Sequence, residues 1–569
     1  MLSLPSLSKV SFAKLFDTNR AWLEKQQTSI LSAALIITIA NIGSSLAGLL
    51  RQRLLISYFF NTPDSREAFE ALLVAFQIPD TMYQLIILGA VSAAFIPIFS
   101  SLRKQDEQIA FKMGAAIMNL LSLIFIGVSL VVFVFATPLT AWRTGVAFTP
   151  EQIDTAANLT RIMLLAQLFF GVSNLLSAML QSYQRFILPS LAPIFYNVGI
   201  LIGVYLLAPW LGIYAAGVGV CLGAFLHMII QLPLATKLGF RFQPALSLKT
   251  PGVKEMFKLV PARVITIGFS EIANLGLGFF ATSLGNLSFV IIKLASTLMT
   301  IPIRLFGVPI SQASLPFLSD ESDTAGLVRF RELVSRSLHQ IAFFAYPASA
   351  LLLILRLPVV RLVFGTSNFP WVTTLTTSKV VAIVAFSIAA QAMVQLFIRA
   401  FYALRDTKTP LLITMIEVGI YLGGCAYSVF MTDWGILGIA AVTSFSALSE
   451  LALFLVLFDR KIGKFLTPDL FVPQIKIIGA SFLMAVSIYL PYRVLDELIF
   501  NTSHTMELIA LTVTTSTIGM IVYIYFASLL EIKELTLVHS MFSSVIRWQK
   551  SLAKTQEVLV DSRVEDDSI

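Results

Sequence analysis

Charge is what this chain is poorest in. Charged residues make up 13% of its 569 positions, against 57% hydrophobic ones, and that ratio excludes an ordinary water-soluble globule. Cysteine occurs twice, at Cys221 and Cys425, both inside apolar runs and far from any metal-ligand spacing, so neither a zinc site nor a disulfide framework is expected. The four histidines are scattered, which leaves no metal or catalytic cluster. No G-x-x-x-x-G-K-[ST] occurs, so a nucleotide-binding P-loop is not expected either. "GVGVCLG" at 217–223 lies within an apolar span and reads as helix packing. No cofactor is called for.

What is abundant is long apolar sequence. A helix needs about 20 such residues to cross the hydrocarbon core, and fourteen spans of this kind can be placed: 30–50, 69–98, 113–136, 159–182, 187–207, 212–235, 259–281, 288–318, 338–356, 377–404, 409–431, 435–458, 477–492 and 505–530. The expected fold is all-α, a multi-pass membrane protein of about 14 transmembrane helices. Residues 1–29 are polar and mixed in charge, so the first span is expected to remain as an anchor and 1–29 to be a cytoplasmic segment. With that orientation the inner connections hold 27 Lys and Arg and the outer ones six, which places both termini in the cytoplasm. The net charge of +8 is thereby explained by topology, and nucleic acid is not an expected partner. In the tail, Leu535, Val538, Met541, Phe542, Val545 and Trp548 recur at helical spacing, as in an amphipathic helix lying on the inner membrane face.

The chain repeats itself. "SAAFIPIFS" (92–100) and "SQASLPFLS" (311–319) share S-x-A-x-[IL]-P-x-x-S at an offset of 219 residues. Tyr183 with "NVGI" at 197–200 is echoed by Tyr402 with "EVGI" at 417–420. Two pseudo-symmetric six-helix lobes are expected, 30–235 and 236–458, followed by two extra helices in 459–530 and a cytoplasmic tail, 531–569. Duplicated bundles of this kind are a transporter signature, with the substrate held where the repeats meet.

An ionisable side chain at the bilayer centre costs at least ~2.5 kcal/mol, so those present mark a cavity or a partner. In span 8, Lys293, Thr297, Thr300 and Arg304 are spaced 4, 3 and 4 apart and share one helical face. Span 7 offers Arg263, Thr266, Ser270, Glu271 and Asn274; span 1 offers Asn41, Ser44, Ser45, Gly48 and Arg51; span 2 offers Glu70, Gln77, Asp80, Thr81 and Gln84. Together these stripes predict a water-accessible, net-cationic cavity suited to an anion. Arg51, Arg263, Asn274, Lys293, Thr297, Thr300 and Arg304 are its expected substrate-binding residues, and Glu70 and Glu271 its acids, as counter-ions or coupling groups. Arg51 and Arg53 also suit snorkelling to the outer headgroups. Pro79, Pro302 and Pro309 fall within spans 2 and 8 as candidate hinges.

"GLLRQRLLISYFF" (48–60), "EALLVAFQIPDTMYQLIILGAVSAAFIPIFSSL" (70–102), "QRFILPSLAPIFYNVGI" (184–200), "LMTIPIRLFGVPISQASLPFLS" (298–319) and "RAFYALRDTKTP" (399–410) resemble the MurJ (MviN) lipid II flippases of the MOP exporter superfamily. The likeness runs in order over nearly the whole chain. It implies fourteen helices in two lobes plus two, and export of lipid-linked peptidoglycan precursor from the inner to the outer leaflet by alternating access. It further implies cavity cations on the pyrophosphate, a groove for the polyprenyl tail at the two extra helices, and coupling to membrane potential or a monovalent cation. The implied setting is the bacterial cytoplasmic membrane, the implied partners are a polyprenyl-pyrophosphate glycolipid, membrane lipids and cell-wall synthesis proteins, and the chain is expected to act as a monomer. The sequence departs from the family at R-x-x-G-x-x-R-D in the first helix, met here by Ser45, Gly48, Arg51 and Gln52. The family's span 8 arginine falls on Thr297, with Lys293 one turn before and Arg304 two turns after. Flipping of another polyprenyl-pyrophosphate oligosaccharide and a non-transporting scaffold in envelope assembly are the competing readings. A scaffold has no use for a charged interior.

Overall fold

The computed structural model describes residues 30–243, 247–321, 327–502 and 504–536. Every long element in them is helical: α1 Ile30–Phe59, α2 Pro63–Tyr83, α3 Gly89–Gln105, α4 Glu107–Val134, α5 Ala136–Arg143, α6 Pro150–Ser182, α7 Ile187–Leu211, α8 Tyr214–Ile229, α9 Leu232–Lys237 and α10 Val253–Ser283. There follow α11 Ser288–Pro302, α12 Val308–Glu321, α13 Val328–Ile354, α14 Arg356–Phe364, α15 Trp371–Val384, α16 Ile388–Ala403, α17 Lys408–Met431, α18 Gly435–Ile462, α19 Pro468–Val494 and α20 Thr505–Leu529. Joined through their internal π and 3-10 turns, these make fourteen long rods among the described residues, one on each expected span. Among the described residues, eleven helices are long and apolar enough to cross a membrane. The rods at 30–59, 63–105 and 253–283 complete the set, and they are three of the four that carry the polar stripes. The proposed tail helix lies almost wholly outside the described residues, as does 1–29.

The rods end where the local chemistry dictates. Thr62 and Ser65 close a reciprocal capping box and Pro63 opens α2, while Thr149 and Gln152 do the same for α6 with Pro150. Asp106 accepts from the amides of Gln108 and Ile109 to start α4.

The chain divides into two compact units. The first holds the described residues up to Leu294 together with Val363–Thr377 and Thr414–Val442; the second holds Ala295–Leu362, Ser378–Ile413 and the described residues from Thr443. In the first, Phe95, Phe99, Met113, Ile117, Leu176 and Leu180 form the centre of an apolar core. Small residues bring α7 and α8 into backbone contact: a Cβ on Gly199 would lie 2.3 Å from Gly223 Cα, and one on Gly203 2.4 Å from Gly219 Cα. That is the helix-packing role expected of "GVGVCLG". Cys425 is buried, whereas Cys221 is half-buried and donates to the Ile162 carbonyl at 3.2 Å. The second unit is packed around aromatic rings, with Phe397, Phe458 and Phe465 meeting at centroid distances of 4.9–6.2 Å.

Candidate functional site

The polar stripe of α2 enters the first unit at Glu70, which is 4% exposed. Its Oε1 accepts from the Phe289 amide at 3.1 Å, and its Oε2 faces Gln152 Nε2 at 3.5 Å. Phe289 lies in the first turn of α11, so Glu70 supplies an acceptor and a negative charge to that helix N-terminus from 219 residues away. The turn it secures is demanding: Gly285, Asn286 and Leu287 all have positive φ, at 63°, 51° and 58°. A left-handed leucine is held only where its surroundings over-determine it. Gly145 packs there from the other side, its amide donating to Thr282 Oγ1 at 2.8 Å.

One and more turns deeper, α2 and α10 face each other. Gln77 Nε2 donates to the Asn274 carbonyl at 2.9 Å, and Thr81 Oγ1 donates to Glu271 Oε2 at 2.7 Å. Gly278 admits the Gln77 carboxamide, because a Cβ there would fall 2.4 Å from its Oε1. Lys293, half-buried on α11, donates from Nζ to Asn274 Oδ1 at 3.0 Å and lies 5.4 Å from the Phe289 ring centroid. Asp80, an exposed residue, accepts from Gln167 Nε2 at 3.0 Å. The negative charge around Lys293 comes from Asp80 and Glu271. Arg51 joins from α1, its charge acting on Asp80 alongside that of Lys293, its guanidinium 5.8 Å from the Tyr196 ring. Tyr83 and Asn174 touch through their polar ends beside this group.

Of the residues expected from sequence, Glu70, Glu271, Asn274, Lys293 and Arg51 therefore belong to one polar region of the first unit. Thr297, Thr300 and Arg304 belong to the second unit. There Thr297 and Arg304 are exposed, and the Thr300 hydroxyl is spent on the Ser296 carbonyl at 2.7 Å. Arg263 sits in α10 and Thr266 one turn on; their side chains lie outside the described residues. Asp80 was visible in the stripe but not singled out as a site residue. Arg143, whose positive charge also reaches Lys293, falls between the expected spans 113–136 and 159–182, outside any polar stripe read from the sequence. Among the described residues no three His, Cys, Asp or Glu converge as metal ligands would.

The region sets the Lys293 ammonium and the Arg51 guanidinium beside the Asp80 and Glu271 carboxylates, with amides and hydroxyls around them, in an otherwise apolar bundle; such cations can meet an anionic group while the carboxylates balance them. The helices carrying it are also the ones interrupted. A π turn spans Gln84–Leu88 between α2 and α3, and another spans Ile303–Gly307 between α11 and α12. Their positions differ by 219 residues, the offset of the sequence repeat. Pro302 immediately precedes the second turn, Pro309 follows it, and Pro79 lies one turn before the first. A π turn loosens the i to i−4 ladder, and such turns favour functional positions.

The family described as lipid II flippase MurJ has a sequence model that matches residues 56–509. A probable lipid II flippase MurJ of Bdellovibrio bacteriovorus is 25% identical over 499 residues, covering 86% of this chain and 93% of its own. The lipid II flippase MurJ of Burkholderia cenocepacia is 28% identical over 399 residues, 68% of this chain and 76% of its own. A solved lipid II flippase MurJ in an inward closed conformation superposes with a TM-score of 0.71 at 23% identity, over 87% of this chain and 98% of that one. An inward-facing multidrug-resistance MATE transporter of the MOP superfamily superposes at 0.59 with 13% identity, over 74% and 94%. The two superpositions show the fold.

Proposed function

Since the chain belongs to the lipid II flippase MurJ family, we propose that it exports lipid II, carrying the lipid-linked peptidoglycan precursor from the inner to the outer leaflet by alternating access. It is a multi-pass protein of the bacterial inner membrane and works as a transporter, not an enzyme. The observation that carries the reading is Lys293: a half-buried ammonium in a membrane-spanning rod, tied to Asn274 and flanked by Asp80, Glu271 and Arg51. Its charge serves the pyrophosphate, with the side-chain amide nitrogen of Asn274 available to the sugars. Arg304, exposed in its π turn, is a second phosphate contact at another stage of transport, with Thr300 one turn and Thr297 two turns before it. Arg263 contributes a further cation.

The buried carboxylate of Glu70 is assigned to holding α11 in place, and Glu271 to balancing Lys293. The paired π turns, with Pro79, Pro302 and Pro309, are the hinges. The two six-helix lobes are 30–235 and 236–458. The extra helices α19 and α20 carry exposed Phe482, Val486, Leu490 and Ile521, surfaces suited to the polyprenyl tail. Both termini are cytoplasmic, and the chain acts as a monomer that needs no cofactor. Coupling comes from membrane potential, worth ~2.3 kcal/mol per charge per 100 mV, or from a monovalent cation. Cell-wall synthesis proteins are the natural partners.

The experiment is replacement. Cells depleted of their own lipid II flippase and expressing this chain regain outer-leaflet lipid II and grow. Normal membrane insertion without restoration would refute the assignment and favour a different polyprenyl-pyrophosphate glycan.

A further inference from the structure

Arg143 ends the short helix α5 and turns inward. It is 4% exposed. Nη1 donates to the Val74 carbonyl at 3.1 Å, while Nε and Nη2 are buried and bonded to nothing among the described residues. Three residues earlier, on the same face of α5, Thr140 is 1% exposed, and its Oγ1 is likewise buried without a partner. No carboxylate pairs with Arg143 among the described residues; burial is what acts on it, and the charged neighbour it shares a field with is another cation, Lys293. A buried guanidinium without a counter-ion is costly, since removal of a charge from water is repaid only by a partner. Arg143 Nε and Nη2 are thus two unmet donors, and the Thr140 hydroxyl on the same helical face is free to donate beside them.

We propose that the Thr140 and Arg143 face of α5 binds a small inorganic anion of the halide class. The guanidinium Nε and Nη2 and the Thr140 hydroxyl donate to it, and its charge neutralises Arg143 inside the first unit. A halide fits this set better than a carboxylate ligand or a lipid phosphate, because both residues are almost wholly enclosed. The bound anion stabilises the packing of α5 on α2 through Val74. It also lowers the positive potential felt at Lys293. The site is independent of the flippase reading, resting on α5 and α2 alone.

The test uses the purified full chain in nanodiscs, with thermal unfolding followed as chloride replaces gluconate at fixed ionic strength. The melting temperature rises with chloride and saturates, and bromide acts in the same way. Thr140→Val weakens the apparent halide affinity several-fold, and Arg143→Gln removes the dependence. Should Arg143→Gln fail to fold, Thr140→Val decides the matter. Crystals grown in bromide give an anomalous peak within hydrogen-bond reach of Nε and Nη2. Identical melting in chloride and gluconate, or a halide response unchanged in Thr140→Val, would overturn the proposal.

Discussion

Replacing Glu70 by alanine separates a structural acid from a transporting one. In the structure its Oε1 accepts from the Phe289 amide at 3.1 Å, at the start of the helix that bears Lys293. The substitution leaves a buried amide without an acceptor, which costs about 1–3 kcal/mol, and withdraws a cap worth ~0.5–2 kcal/mol. These overlap, so the expected loss is about 2–3 kcal/mol. Part of it falls on the left-handed turn at 285–287, which the cap helps to hold. Glu70→Gln keeps an oxygen acceptor at the same place and gives up only the charge, so it loses about 1 kcal/mol. Thermal or denaturant unfolding of the purified chain orders the three proteins as wild type, glutamine, alanine, and export declines in the same order. If Glu70→Ala unfolds like the wild type yet exports nothing, the cap assignment is wrong and Glu70 acts on substrate or coupling.

Gly223→Ala places a Cβ 2.4 Å from the Tyr196 carbonyl, forcing α7 and α8 apart; a stability loss of about 1–3 kcal/mol is expected from unfolding curves. Deleting Leu305, an exposed residue of the second π turn, restores an α register there and reduces export at unchanged membrane insertion, as read by outer-leaflet lipid II. Asp406 lies between α16 and α17; burial pushes its carboxyl up, but Lys461 Nζ at 2.6 Å and the Thr409 amide and hydroxyl together hold it at about 2. Because that value lies below the ordinary aspartate value of about 3.9, the contact's stabilisation is fully present above pH ~4 and is lost as pH falls through about 2. Lys461 is substantially exposed, so the effect stays under about 1 kcal/mol, and Asp406→Asn reduces the stability difference between pH 5 and pH 2.5, read from denaturant unfolding, by no more than that.

Helix number and placement were legible because apolar length is a local property: each expected span sits on a rod, and the ends that moved most, as at 328–354 against 338–356 and 150–182 against 159–182, are amphipathic turns extending past the apolar stretch. The repeat was legible through S-x-A-x-[IL]-P-x-x-S, and the paired π turns at 84–88 and 303–307 repeat with the same offset. The turns themselves were not foreseen, since a π register depends on packing and no residue type encodes it; Pro302 marks one only in hindsight. Lys293, Asn274 and Glu271 were readable from polar stripes at helical spacing. Glu70's commitment to Phe289 was not, because nothing local links residues 219 apart. Arg143 was hidden for a related reason: counting charges by connection says where a side chain begins, not that it turns into the core.

Lys293 carries the central claim, and reconstituted flipping tests it most directly. Purified chain in liposomes loaded with lipid II on one leaflet, under an imposed membrane potential, is compared with Lys293→Gln by the appearance of headgroup on the opposite face. The account predicts that the variant still folds and inserts, with a loss of stability because Asp80 and Glu271 are left without their cation, and flips at least about tenfold more slowly, the effect of losing ~1.4 kcal/mol or more of phosphate contact. Wild-type flipping by a well-folded Lys293→Gln protein would contradict it.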